Sequence, residues 1–338
     1  MTRPLRHLGF LTIGLFDPAD PAPGHEAVLQ MIELGERLGL DSAWLRCRHL
    51  QPGISSPLTV LAAASQRTER IGLGTAVMPL GLENPARLAE DLATVDLLSG
   101  GRLNPGVSTG APMRYEHLKD AFHPDSSDVE EFGTERFERL LRAVRGEPVS
   151  DFEGRVGIED YLRTVQPHSP GLAARLWHGV GSVGSATWAG QQGLNLLTSS
   201  VARAEDDELD IDVLLRRQID AFRAHHPLGE QARATVGPVV IPIDSATADQ
   251  LERYRAYAEA RSARVGVPQG PARLLFARDL VGPSEQLAEE LSAMASYAAV
   301  EEMVVALPFS FGVDDHTQIL TDLAEVLGPL LGWTPGTA

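Results

Sequence analysis

Residues 174–200 of this chain, ARLWHGVGSVGSATWAGQQGLNLLTSS, hold its clearest chemical signal. An apolar strand over 176–180 runs into the turn Gly181-Ser182-Val183-Gly184-Ser185, which opens a helix over 186–192 ahead of a second strand over 194–198. The first N–H groups of a helix lack internal acceptors and carry partial positive charge. A phosphate therefore fits there, with the Ser182 and Ser185 hydroxyls as further donors. Serines are also ordinary N-caps, and by itself the turn reads first as a capped helix start. A second concentration of titratable groups is APMRYEHLKDAFHPDSS, with Arg114, Tyr115, His117, Lys119 and His123. Tyr115 or His117 could supply a proton or bind substrate, although solvated loop residues look the same. No metal-ligand spacing stands out, because His49, His117 and His123 come from separate loops.

Such groups need a scaffold, and short apolar runs alternate along the chain with amphipathic ones. Strands are expected over 8–15, 42–45, 71–77, 103–108, 176–180, 194–198, 236–243 and 302–307. Helices are expected over 25–38, 57–66, 85–98, 132–145, 186–192, 208–225 and 316–331. Gly39 ends the first helix, while Pro85 and Gly100-Gly101 bracket the third. Strands apolar on both faces, each followed by a helix, predict an α/β fold. The expected form is a closed (β/α)8 TIM barrel, with residues 1–338 as a single domain. Segments 111–131 and 244–283 are too long for plain connections and read as loop insertions after strands 4 and 7, on the active face of such a barrel. Residues 146–170 read as a short β excursion, and His225, His226 and His316, at or beside helix ends, as surface residues.

Composition narrows the partners. The 338 residues are 43% hydrophobic and 22% charged, and 46 acids against 29 Lys and Arg leave a net charge of −17. That balance argues against nucleic acid and anionic membrane. A single cysteine, Cys47, excludes an internal disulfide and a cysteine zinc cluster, which suits a reducing cytoplasm. The N-terminal apolar run is too short for a signal peptide, and no segment has transmembrane length.

The runs DSAWLRCRHL, RIGLGTAVMPLGLENPARLAEDLATVDLLSGGRLNPGVSTG and the 174–200 stretch, in this order and spacing, resemble the bacterial-luciferase-like flavin-dependent monooxygenases. The block VGPSEQLAEELSAMASYAAVEEMVVALPF resembles that family's last helix and strand. The resemblance implies a barrel, commonly a homodimer, that takes reduced FMN from a separate flavin reductase and uses O2 to oxidise a small organic substrate. It also implies apolar walls and a covering loop that exclude water.

Carried over residue by residue, the resemblance places the flavin phosphate on Gly181, Ser182 and Ser185. It makes Ser199 a further flavin contact, and it puts the ring against the backbone of Ala76 and Val77, where the family often has a cis non-proline bond. Ser108 and Thr109 follow strand 4. Relatives can carry a phosphate-binding arginine where this chain has Thr109, so the bidentate charge is lost unless Arg114 or another cation replaces it. After strand 2 the family pattern is acid, histidine, histidine, whereas this chain reads Cys47-Arg48-His49. Arg48 stays protonated near neutral pH; it suits an anionic substrate, the flavin's negative N1–C2=O edge, or a salt bridge to one of the many acids. His49 is the leading acid/base candidate, since an unperturbed imidazole titrates near neutrality. Cys47 reads as a small buried filler. These departures keep two alternatives open: an F420-dependent oxidoreductase passing hydride, and a non-catalytic flavin-binding paralogue.

Overall fold

The computed structural model describes residues 4–112, 114–124 and 132–336; the end of the first expected insertion, residues 125–131, lies outside them. Numbering only the barrel strands, β1 is His7–Thr12, β2 Ser42–Leu45, β3 Gly72–Thr75 with Met78–Pro79, and β4 Leu103–Asn104 with Gly106–Ser108. They are followed by β5 Trp177–Gly179, β6 Asn195–Leu197, β7 Ala234–Val236 and β8 Glu302–Ala306. Each strand pairs in parallel with the next, and β8 pairs with β1, His7 opposite Glu302. The ring is therefore closed, as expected. Its helices are α1 Ala22–Arg37, α2 Pro57–Ser65, α3 Pro85–Leu98, α5 Glu135–Val144, α6 Val183–Gln191, α7 Ile211–His225, α9 Ser284–Ala293 and α10 Val313–Asp322, the last continued by Leu323–Leu327. Among the described residues, no helix is long and apolar enough to cross a membrane.

The insertions carry structure of their own. The first contains α4, Tyr115–Phe122, and the second contains α8, Ala248–Ser262, with the strands Leu274–Phe276 and Leu280–Gly282. The sequence reading of 244–283 as loop is thus corrected. Helix α8 lacks an apolar stripe, since only Gln250 and Tyr254 on it are buried. Its sequence signal is the capping box, in which the Thr247 hydroxyl and the Gln250 amide each accept from the other's backbone N–H. The strand expected over 236–243 is two elements. Val240–Pro242 leaves the barrel and pairs with Leu280–Gly282, because the intervening Pro238 has no N–H for the ladder and only its carbonyl bonds β8, accepting from Ala306 at 2.8 Å. The excursion after α5 is a hairpin, Gly154–Val156 against Glu159–Tyr161, as expected.

Residues alternate between the two faces of each strand, and the inward set fills the barrel. At the N-terminal end Arg233 forks onto Glu302 at 2.7 and 2.9 Å and lies 4.7 Å over the Trp177 ring. Above it Trp177 meets Trp44 edge to face at 5.5 Å, with Leu197 and Val304 completing the layer. Gly74 makes room, since a Cβ there would collide with the Trp44 indole. Outward residues such as Phe10, Ala43 and Leu45 join the larger core beneath the helices.

Candidate active site

The C-terminal mouth of the barrel follows from β2. Ser42 donates to His7 or accepts from it at 2.8 Å and accepts from the Trp44 indole at 2.8 Å, so both face inward. The same alternation places Arg46 and then Arg48 on the inner side where the strand runs out. The extended path persists, with Arg46 N–H donating to Thr12 O at 3.0 Å and Arg48 N–H to Ile54 O at 2.8 Å. Burial and the neighbouring Arg48 push the Arg46 guanidinium down to about 10. Burial also lowers Arg48, whose Cζ lies 5.7 Å over the Phe309 ring. Among the described residues neither arginine has a carboxylate within ion-pair distance, so the salt-bridge alternative for Arg48 finds no partner there. Arg46 was not singled out in the sequence, although the inward spacing of 42 and 44 points to it.

His49 sits beside them, half-buried, with its Nε2 3.2 Å from Cys47 Sγ and its ring edge-on to Phe122 at 4.8 Å. Burial lowers its pKa, so the imidazole is neutral at neutral pH. Phe122 belongs to the insertion after β4 and His49 to the loop after β2; their contact carries the insertion across the end of β3. Cys47 donates to Ser55 O at 3.2 Å, and burial pushes its thiol up to about 12, an inert filler as expected. Glu83, whose carboxyl is held above the usual range by burial and by Asp91, lies close enough to act on that thiol electrostatically. Sequence reasoning did not find it.

Between the two segments of β3 the Ala76–Val77 peptide is cis. Both residues pack on the Trp44/Trp177 layer. Gly179 on β5 faces them, and a Cβ there would fall 2.7 Å from Val77 Cγ1. The result is a floor built of backbone and small side chains. Ser108 ends β4 opposite Pro79, and Thr109 follows it, half-buried.

The 181–185 turn is an N-cap, with a carboxylate in addition. Ser182 Oγ accepts from Ser185 N at 3.2 Å and lies 3.1 Å from Ser185 Oγ, which donates to Ser182 O at 2.9 Å. The Val183 amide, first in α6, donates to Glu205 Oε1 at 3.0 Å. A carboxylate of this chain thus occupies the anion position at the helix start. Nothing within 4 Å meets a Cβ built at Gly181 or Gly184, so the outer side of the turn is open.

The side chains of the remaining candidates make no hydrogen bond to this cluster among the described residues. Ser199 bonds within its own turn, donating to Val201 O at 2.9 Å and accepting from Val201 N at 3.1 Å. Tyr115 packs on Phe132 at 4.7 Å and on His123 at 6.4 Å, its buried hydroxyl without a hydrogen-bond partner among the described residues. The His117 and Arg114 side chains are 73% and 77% exposed, both beside Glu116. His316, read from sequence as a surface residue, is buried: its Nε2 lies 2.9 Å from Pro308 O, because the start of α10 folds under the loop after β8. Arg87 pairs with Glu90 and Asp91, and Asp96 with Arg175.

Comparison with known proteins gives this geometry a context. The sequence profile of the luciferase-like monooxygenases matches residues 7–296. An uncharacterized protein, y4wF, of Sinorhizobium fredii is 32% identical over 234 residues, 66% of this chain and 63% of that protein. An F420-dependent glucose-6-phosphate dehydrogenase of Nocardia farcinica is 36% identical over 172 residues, 47% of each chain. The match thus spans less than two thirds of either relative. Among solved structures, monooxygenase RslO1 from Streptomyces bottropensis superposes with a TM-score of 0.72 at 17% identity, covering 96% of this chain and 99% of that one. The oxygenating constituent of 3,6-diketocamphane monooxygenase from Pseudomonas putida, in complex with FMN, superposes with a TM-score of 0.66 at 16% identity, covering 97% and 99%. The two structures share the fold, and the profile spans most of the sequence: the chain belongs to the luciferase-like monooxygenase family.

Proposed function

We propose that this chain is a flavin-dependent monooxygenase of the cytoplasm, acting as a single barrel domain and commonly as a homodimer. It would take reduced FMN from a separate reductase and oxidise a small organic substrate with O2 at the barrel mouth. The carrying observation is the side-chain-poor floor of Ala76, Val77 and Gly179. A planar ring can lie on such a floor. The other end fits less well, because Glu205 already sits on the Val183 amide and Thr109 supplies no charge. A phosphate must displace Glu205, so FMN is held weakly. When bound, the reduced cofactor would supply the two electrons that reduce O2, one oxygen atom going to the substrate and the other to water.

This chain's own residues do the rest. Ser182, Ser185 and the α6 amides bind the phosphate, and Ala76 and Val77 present their backbone to the ring, with Ser108, Thr109 and Ser199 lining its approach. Phe122 and Phe309 exclude water, and neutral His49 accepts a proton at Nε2 or Nδ1. Tyr115 and His117 serve only if the insertion carries them inward. An F420-dependent hydride transfer is the second reading, favoured by the Nocardia relative. Anaerobic titration with reduced FMN and with reduced F420, followed by air, tests the choice. FMN binding with oxygen uptake that exceeds free flavin's supports the first reading, F420 binding alone supports the second, and FMN binding without turnover leaves a non-catalytic paralogue.

Glu205→Gln removes the competing charge and is expected to tighten FMN about five- to tenfold, a change of roughly 1 kcal/mol, by isothermal titration. Equal affinity would mean that the phosphate does not use the α6 start. His49→Ala is expected to cut turnover about tenfold with cofactor affinity within twofold. Since burial holds the His49 pKa below 6.5, the neutral base persists into mild acid. The wild-type rate should fall only below pH 6.5 as His49 protonates, and that limb should vanish in His49→Ala.

A further inference from the structure

We propose that Arg46 and Arg48 form the recognition site for a substrate carboxylate, so that the molecule oxidised at the barrel mouth is an organic acid. This rests on reading the mouth as the reaction site, and it adds the substrate's chemical class. In a chain with 46 acids and 29 Lys and Arg, a guanidinium has ample choice of partners. Arg67, Arg87, Arg175, Arg216, Arg253 and Arg261 each take a carboxylate. Arg46 and Arg48 are different: two residues apart on the inner side of one strand end, near enough that Arg48 disfavours the charge on Arg46, and without a carboxylate among the described residues. Arg48 Nε is buried and makes no hydrogen bond there. Two desolvated cations without a counter-charge are unfavourable in the free protein, and an incoming anion removes that cost.

The position and surroundings say which anion. β2 and β5 are three strands apart around the ring, so this pair is separate from the 181–185 turn where a cofactor phosphate would sit. Two planar forks of N–H donors match a carboxylate bidentately. Phe309, against Arg48, and Phe122, against His49, give apolar walls to the carbon body behind the acid group. A single delocalised charge on a reduced flavin edge would leave one of the two cations uncompensated. Neutral His49, next in the chain, then lies beside the bound carboxylate, where it can accept a proton from an O–H or N–H of the substrate's carbon body.

Benzoate serves as the probe and benzamide, its neutral isostere, as the control, with binding to the full chain read by ligand-observed NMR and by thermal melting. Benzoate is expected to bind and benzamide at least tenfold more weakly. Arg46→Gln and Arg48→Gln should each weaken benzoate at least tenfold with reduced-FMN affinity within twofold, and Arg46→Lys should fall between. Arg46→Met relieves the repulsion and should raise the melting temperature by about 1–3 °C; a fall of several degrees would make Arg46 a structural residue and overturn the proposal. Benzoate bound alike by all variants would overturn it too. Loss of reduced-FMN affinity in Arg46→Gln without benzoate binding would assign the pair to the cofactor, ending this proposal and leaving the proposed function in place. Benzoate binding that depends on both arginines, in a chain that takes up no cofactor, would support the acid site and sink the proposed function instead.

Discussion

Ser185→Asp is expected to lower FMN affinity about a hundredfold while leaving the melting temperature unchanged or about 1 °C higher. The two effects have opposite signs because they share one cause. Ser185 is the third residue of α6, and its amide already donates to Ser182 Oγ. A carboxylate at that position meets the positive end of the helix, worth about 0.3–1 kcal/mol, with Glu205 on the Val183 amide keeping the gain small. For a phosphate dianion the same carboxylate is a like charge at close range and replaces a hydroxyl donor. Together these amount to roughly 3 kcal/mol at a partly exposed site. Paired calorimetric titration and melting curves check it. Unchanged FMN affinity would move the phosphate away from this turn, and a large loss of stability would show that Ser185 serves the fold.

Arg175→Leu should cost about 3 kcal/mol of stability, read as a fall in melting temperature of roughly 6–10 °C. Asp96 on α3 is fully buried. Its Oδ2 accepts from Ser169 Oγ at 2.5 Å and from Arg175 Nη2 at 2.6 Å, and its Oδ1 from Leu103 N at 3.3 Å. Arg175 also donates through Nε to Leu103 O at 3.2 Å, tying β4 to the entry of β5. Leucine would leave a buried carboxylate with two neutral donors and no counter-charge. Adding Asp96→Asn in the same background should recover part of the loss, since the charge then goes with its partner. A cost under about 1 kcal/mol would mean that water reaches Asp96. The same loosening should weaken FMN through β5, which feeds the 181–185 turn.

The barrel was legible from the chain because its signals are local. Apolar runs bounded by Gly39, Pro85 and Gly100-Gly101 mark strands and helices whatever packs against them. Misreadings arose where local signals conflict or are weak. Val240–Pro242 has a strand's composition, but one proline in the ladder sends it out of the ring. Helix α8 packs few residues inward and shows no periodicity, so only its capping box announces it. His316 adjoins a helix start, a place usually solvated, and is buried by the turn after β8.

For the site, sequence alone determined the family pattern, the N-cap chemistry of Ser182 and Ser185, and the presence of Arg48 and His49 after strand 2. These depend on residue type and short spacing. Only the tertiary structure decided that Glu205, more than one element away, holds the Val183 amide, and that Gly179 of β5 yields to Val77 of β3. It also decided that Arg46 and Arg48 go without a carboxylate among the described residues of so acidic a chain. Charge pairing and close packing are set by distances across the barrel, and those distances exist only once the ring has closed.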